Sequence, residues 1–405
     1  MLPASYQKIL KAHLSESQYI TLQLLILLLQ HHRQVTLGTL ASVFPQPIQA
    51  ESRRKNLKRF LSLPKLNLKL LWLPLIKYWI SQVDKGRGIN RKQRRYRMKL
   101  KSNNQGFWII AIDRTEWKKR NIFMVTIVWG SHAIPIYWEV LNQVGNSNLA
   151  VQKRLLKNVL PLFKNWSVVV LGDREFHSPH LAQWLASRFV YFALRQKKSL
   201  HFKEHLNEDY KVLKDQGFKP GMSKFYQDIH CNKGDGLGTF NLAVYWKRKY
   251  IKKAPKVPWY ILTNLPTLKQ ALAIYRCRWG IEQFFKDCKS GGYNLECTYV
   301  NQTRFLALIL IIAFAYYLAT LQGQWLQQSS LDIYASRLQQ TCDKFPRHSS
   351  FSIALYGHRW CHAMDLWSDL AFELIRLKPH KFRFFQRGLF ALSLIQQAFD
   401  NLVPL

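Results

Sequence analysis

Acid is scarce in this 405-residue chain: 23 Asp and Glu stand against 60 Lys and Arg, a formal charge of +37. A chain so unbalanced repels itself, which few soluble proteins tolerate without a polyanionic partner. Nucleic acid is the first candidate partner and an anionic membrane surface the second. Cysteine is scarce too. Six, at 231, 277, 288, 297, 342 and 361, make no CxxC pair and no regular disulfide spacing, which argues against a disulfide scaffold and fits reduced thiols in a cytosolic protein. His358, Cys361 and His362 lie close enough to suggest zinc, but no fourth ligand is evident. The opening stretch MLPASYQKILKAHLSESQYI lacks a charged n-region followed by an apolar stretch and a small-residue cleavage site, so no secretory signal is expected. Long apolar runs are missing save one, FLALILIIAFAYYLATL at 305–321, which is at the short limit for a bilayer and is expected as a buried central helix.

What is present is 48% hydrophobic and 14% aromatic residues, enough over this length to bury a large core in two or three domains. Residues 1–84 read as a helical, helix-turn-helix-like DNA-binding region. Thr36 is expected to cap a short helix ending near Phe44, two prolines turn the chain, and 52–61 form a second helix that would offer Arg53, Arg54, Lys55 and Lys58 to DNA. A basic surface helix in a small bundle is the competing reading. Residues 85–106 form a basic linker, with nine Lys or Arg and no acid between Lys85 and Lys101.

Residues 107–198 alternate. GFWIIAIDRTEW reads as a strand buried on both faces and ending at Asp113, IFMVTIVWG and AIPIYWEVL as two more, and 148–163 as a helix. SVVVLGDREF is a second apolar strand ending on Asp173, followed by the helix HLAQWLASR and the strand YFALRQK, giving the order βββαβαβ. The expected class is α/β, a mixed sheet flanked by helices. Residues 199–266 read as a β-rich insertion, 267–321 as a core helix with a third acid and the buried helix, and 322–405 as a helical C-terminal region and candidate dimerisation element.

The third acid lies in YRCRWGIEQFFKDCK, residues 275–289. Turned as one helix at about 100° per residue, Tyr275, Arg278, Glu282 and Lys289 share a band roughly 60° wide while Asp287 falls elsewhere. Ordinary i,i+4 pairing on a solvent-facing helix would explain Arg278, Glu282 and Lys286 taken alone, and an aspartate after a strand is commonly a cap. Taken together, two strands delivering Asp113 and Asp173 and a helix delivering Glu282 offer three hard oxygen ligands suited to Mg²⁺ or Mn²⁺. Two such ions would support in-line phosphoryl displacement on DNA, with Arg278, Lys286 and Lys289 set against its phosphates and Tyr275 against the strand.

The spacing Tyr275, two residues, Arg278, three residues, Glu282, six residues, Lys289 resembles the YREK signature of the insertion-sequence transposases of the family numbered four, a branch of the DDE transposases. IAIDRTEW is similar to that family's first-aspartate strand, and LGDREF, with Arg174 directly after Asp173, to its second. Arg114 departs from the pattern, standing where relatives often carry glycine. The resemblance implies a ribonuclease-H-like catalytic domain with Asp113, Asp173 and Glu282 as the metal-binding triad. It further implies an endonuclease that nicks the element's end, forms and opens a hairpin, and joins the end to target DNA, working as a homodimer or higher assembly on terminal repeats. Tyr275, Arg278 and Lys289 would contact the terminal phosphates and Trp259, with Trp246 as fallback, would stack on a flipped base. A catalytically silent DNA-binding protein on the same fold and another ribonuclease-H-like nuclease are the rival readings. A cytoplasmic, nucleoid-associated location is expected.

Overall fold

The computed structural model describes residues 4–85, 106–142, 145–231, 237–248, 257–289, 292–337 and 347–400. The basic linker thus falls, but for its two end residues, outside the described residues. The chain forms two compact units, Met1–Ile89 with Lys286–Leu405, and Asn90–Phe285.

The first unit opens with α1 (Ala4–Lys11), α2 (Glu16–His32), α3 (Leu37–Val43), α4 (Ala50–Leu61) and α5 (Leu73–Lys85). Local signals set their ends. Ser15 and Gln18 cap α2 reciprocally, and the Thr36 hydroxyl accepts the Thr39 N–H to start α3. Arg53 on α4 donates to the carbonyl oxygens of Ala41 at 2.7 Å, Ile48 at 2.6 Å and Gln46 at 3.3 Å, holding the turn between α3 and α4.

The second unit is built on one sheet. The antiparallel meander β1 (Trp108–Trp117), β2 (Arg120–Trp129) and β3 (His132–Leu141) is followed by α6 (Leu149–Val159), capped by Asn148. β4 (Val168–Gly172) lies parallel to β1, α7 (Pro179–Ala186) crosses over, and β5 (Tyr191–Arg195) lies parallel to β4, so the order βββαβαβ is present. β4 is buried along its whole length, as a continuous apolar run in a covered sheet should be.

Two details differ from the sequence expectation. β1 does not end at Asp113, because Arg114 to Trp117 go on pairing with β2; what ends just before Asp113 is the parallel pairing with β4, whose last pair is Ile112 with Gly172. The strands of the insertion also join the main sheet. These are β6 (His201–Lys203), β7 (Lys211–Val212), β8 (Ser223–Cys231), β9 (Phe240–Tyr245) and β10 (Trp259–Thr263); β10 pairs antiparallel with both β5 and β9. The sheet has ten strands in the order β3-β2-β1-β4-β5-β10-β9-β8-β6-β7, flanked by helices: the mixed, ribonuclease-H-like α/β class expected.

The 275–289 stretch is not one helix. α8 (Leu268–Arg276), capped by Thr267, ends before α9 (Trp279–Cys288) begins. Between them Arg278 N–H donates to Tyr275 and Gly280 N–H to Cys277, three residues back rather than four. Such a 3₁₀ turn advances about 120° per residue, so the single 100° band does not survive it. A Cβ at Gly280 would sit 3.2 Å from the backbone carbonyl of His132, so glycine lets α9 approach β3 closely.

The chain then completes the first unit with α10 (Gln302–Gln328), α11 (Asp332–Ala335), α12 (Ser350–Leu366), α13 (Ser368–Arg376) and α14 (Phe382–Asp400). α10 is, among the described residues, the one helix long and apolar enough to cross a membrane; its apolar window is 94% buried inside the protein. Gln30 on α2 donates to Ala315 O and Gln322 Oε1 across 285 and 292 residues of sequence. Gly323 permits the crossing of α10 with α12, since a Cβ there would lie 1.8 Å from Ser350 O. His358 is buried, bonded through Nε2 to Gln322 at 3.0 Å and stacked on Phe399 at 3.8 Å. Burial holds it neutral, its pKa well below the ordinary value. The zinc suggestion finds no support: among the described residues no group of three His, Cys, Asp or Glu is gathered to hold a metal ion.

Candidate active site

The second unit brings two of the expected acids to one sheet edge. Asp113 and Asp173 are the residues directly after the last parallel pair of β1 and β4, so they emerge side by side where the strands part. Asp173 caps a 3₁₀ turn, its Oδ1 accepting the Glu175 N–H at 2.8 Å, and Asp113 Oδ1 accepts the Arg114 N–H at 2.8 Å. Asp173 therefore does the local work of a cap, whereas Asp113, inside β1, accepts only its neighbour's N–H with Oδ1 and leaves Oδ2 for another partner.

Glu282 reaches this site through Arg278. The guanidinium donates to Asp113 Oδ2 at 3.4 Å with one nitrogen and to Glu282 Oε1 with another, joining two acids 169 positions apart. Arg278 and Asp113 are mostly buried, with side chains 14% and 15% exposed, whereas Glu282 is 36% exposed. Burial, and then the neighbouring Asp173, push the Asp113 carboxyl up to about 7, against the opposing pull of Arg278. Burial alone would lower the Arg278 pKa, but Tyr275, Glu282 and Asp113 outweigh it and raise it. The site is thus a knot of like-charged carboxylates held by one cation.

Tyr275 is buried in the last turn of α8, with Arg278 5.9 Å from its ring centre and Trp259 edge-on at 5.1 Å. Trp259, half-buried at the start of β10, also touches Tyr245. The expected base-stacking tryptophan is therefore packed on Tyr275. Trp246 lies just beyond β9, its backbone paired with Gly221 and Met222.

Sequence reasoning missed a brace and a cleft. Arg114 donates to Glu175 at 2.9 Å, and Glu175 accepts from the Ser147 N–H and hydroxyl at 2.9 and 2.7 Å, locking β1 to the loop after β4. A mostly buried Arg paired with a mostly buried Glu, 16% and 10% exposed, resists breaking. The unusual Arg114 is thereby accounted for: it points to Glu175 and Glu116, not at Asp113. Beside Asp173 opens a cleft of about 680 Å³ with Arg174, Arg195, Lys197 and Lys198 in its wall. The DRE triplet 173–175 was the signal for Glu175; nothing short-range marked Arg195.

Other expected DNA contacts are placed as follows. Arg174 is exposed. Lys286 lies in the last turn of α9, and Lys289, in the first unit, pairs with Glu296 at 3.3 Å. On α4, Arg54 pairs with Glu51 at 3.3 Å and Lys55 is exposed, with Lys58 partly so. Arg53 is committed to backbone carbonyls of its own turn and has little left to offer a phosphate.

The donor set fits a hard divalent cation, since carboxylate oxygens are its preferred ligands and Asp113, raised first by burial and then by Asp173, is a carboxylate whose charge a cation would stabilise. The arrangement itself does not gather three donors, Glu282 being held by Arg278.

No curated protein sequence matches the chain. Among solved structures, the piggyBac transposase synaptic complex with hairpin DNA is similar at a TM-score of 0.42 and 12% identity, over 86% of this chain and 71% of that one. Residues 104–318, more than half of the chain and inclusive of all three acids, match the family described as transposase DDE domain. A match over that much of the sequence shows that the chain belongs to the transposase DDE domain family.

Proposed function

We propose that the chain is a DNA transposase of the insertion-sequence family numbered four, cutting an element from its site and joining it to target DNA through a hairpin intermediate. The observation that supports this most is the Arg278 bridge, because it brings Glu282 of the signature to Asp113, remote in sequence. Asp113, Asp173 and Glu282 would hold Mg²⁺ or Mn²⁺, two ions in this reading. When bound, the ions supply Lewis-acid stabilisation of an in-line phosphoryl displacement. The protein's own groups do the rest. Arg278 exchanges its carboxylates for a terminal phosphate, Arg174, Lys286 and Lys289 balance the phosphate charge, and Trp259 with Tyr275 receives an unpaired end base. The α3–α4 pair, with Lys55 and Lys58 outward, contributes to end recognition. The protein acts as a homodimer or larger assembly on paired terminal repeats, in the cytoplasm on the nucleoid, without a membrane partner.

The test is cleavage of a labelled duplex spanning the element boundary, in Mg²⁺ or Mn²⁺ and in EDTA, by wild type and Glu282→Gln, read on a denaturing gel. Metal-dependent nicks and hairpins at the boundary that vanish in the variant are expected. End binding without cleavage by the wild type would select the catalytically silent binding protein, and equal cleavage by both proteins would remove Glu282 from the chemistry.

A further inference from the structure

The cleft beside Asp173 holds about 680 Å³, within the range of about 300 to 1,000 Å³ that takes one small ligand and too little for a duplex. It is distinct from the Trp259–Tyr275 pair. Trp259 and Tyr260 are neighbours on β10 and so project to opposite faces of the sheet: Trp259 meets Tyr275, and Tyr260 lies in the cleft wall. Arg174, Lys197 and Lys198 are exposed in that wall, and Arg195 lines it too. Of its two acids, Asp173 and Glu175, the second is already held by Arg114. Buried Pro258 and Tyr260 give the cleft an apolar side. Cations beside an apolar side suit a phosphate that carries a ring.

Gln196 is the group in the wall that a phosphate does not explain. It is 1% exposed, its Nε2 donates to Leu194 O at 3.1 Å, and among the described residues its Oε1 has no hydrogen-bond partner. The bond to Leu194 fixes the amide's orientation, since turning it over would set oxygen against oxygen. What is left over is an acceptor, which a phosphate oxygen cannot satisfy. A buried acceptor without a donor is costly, so a ligand that parts the wall and brings an N–H recovers that cost. In DNA the N–H groups belong to the bases, and cytosine and adenine carry theirs on an exocyclic amine.

We infer that the cleft receives the unpaired nucleotide on the flanking side of the scissile phosphate, with its phosphate on Arg174, Lys197 and Lys198 and its exocyclic amine on Gln196 Oε1. Gln196 is then a specificity residue for the sequence next to the element. In the proposed reading, on which this rests, Trp259 takes the end base; the strand then crosses the acids, and its next nucleotide falls on the far face of the sheet.

The test is binding in EDTA, by fluorescence anisotropy, of a boundary duplex forked so that its first flanking nucleotides are unpaired. The first of these is cytosine or 2-pyrimidinone, which is cytosine without its amine; adenine and purine make a second pair. Wild type should bind the amine-bearing member of each pair about five- to tenfold more tightly, and Gln196→Leu should bind both members alike. Lys197→Ala with Lys198→Ala should weaken all four forks by a common factor and flatten their salt dependence. Circular dichroism melts check that the variants fold. Equal binding by wild type within both pairs, or a preference that survives Gln196→Leu, overturns the inference. So does free dCMP that competes as strongly as the cytosine fork, which would mark a site for a small nucleotide. No cleavage enters the measurement, so a failure of the proposed chemistry, seen as absent boundary cleavage, is separable from a failure here.

Discussion

Replacing Asp113 with asparagine should stabilise the metal-free protein at neutral and alkaline pH. Burial and the neighbouring Asp173 place this carboxyl at about 7 in the fold, against 3.8 for the free side chain. A raised folded pKa means that the fold favours the protonated form. The associated stability is present in full below the unfolded pKa and is lost as pH rises to the folded one. At about 1.4 kcal/mol per pH unit, the loss between pH 5 and pH 7 is about 2.5 kcal/mol. Asparagine resembles the protonated acid, can still accept the Arg114 N–H, and does not titrate. Urea unfolding in EDTA at pH 5 and pH 8 measures the difference between variant and wild type at each pH. The variant's advantage should grow by about 2.5 kcal/mol from the lower pH to the higher. An unchanged difference would show that burial and Asp173 do not disfavour the Asp113 charge, and with it would fall the case that this carboxylate pair awaits a cation.

Arg53→Ala should lower stability by about 2 kcal/mol, the loss of charge-assisted hydrogen bonds to three carbonyls, whereas exposed Lys55→Ala should change it by less than about 0.5 kcal/mol; thermal melts of the two variants compare them. Gly172→Ala places a Cβ 2.7 Å from Phe176 Cβ and 3.1 Å from Leu194 Cδ2, directly before Asp173, and should cost about 1 to 3 kcal/mol in urea titrations.

The order of strands was legible because each apolar run and each turn is a local signal: β4 reads as buried from VVVLG alone, and Asn148 announces α6. The positions of Asp113 and Asp173 at the parting of β1 and β4 were close to legible, but the continuation of β1 to Trp117 was not, since only its pairing with β2 sustains it. The 275–289 stretch was misread as one helix because the three-residue backbone bonds at 277–281 leave no compositional mark. The role of Arg278 was hidden for another reason. A helical wheel places it beside Glu282 and says nothing of a strand 165 positions earlier. Arg114 stands out in the sequence only as a departure from the family pattern, because its partner Glu175 lies 61 positions on, and the joining of β10 to β5 could not be read from residues 199–266 by themselves.

The first unit's two halves leave the ribosome far apart in time. Gln30 must wait for Ala315 and Gln322, and at roughly 5 to 20 residues per second the interval is on the order of 15 to 60 s. Through that interval Leu22, Leu25, Ile26 and Leu29 of α2 lack the helix that covers them, while the sheet unit, encoded without interruption, has all its strands to hand. A nascent chain cut short between β10 and α10 therefore carries a complete set of sheet strands and an open apolar head. Premature termination would yield a species marked for chaperones or proteases rather than a smaller working protein.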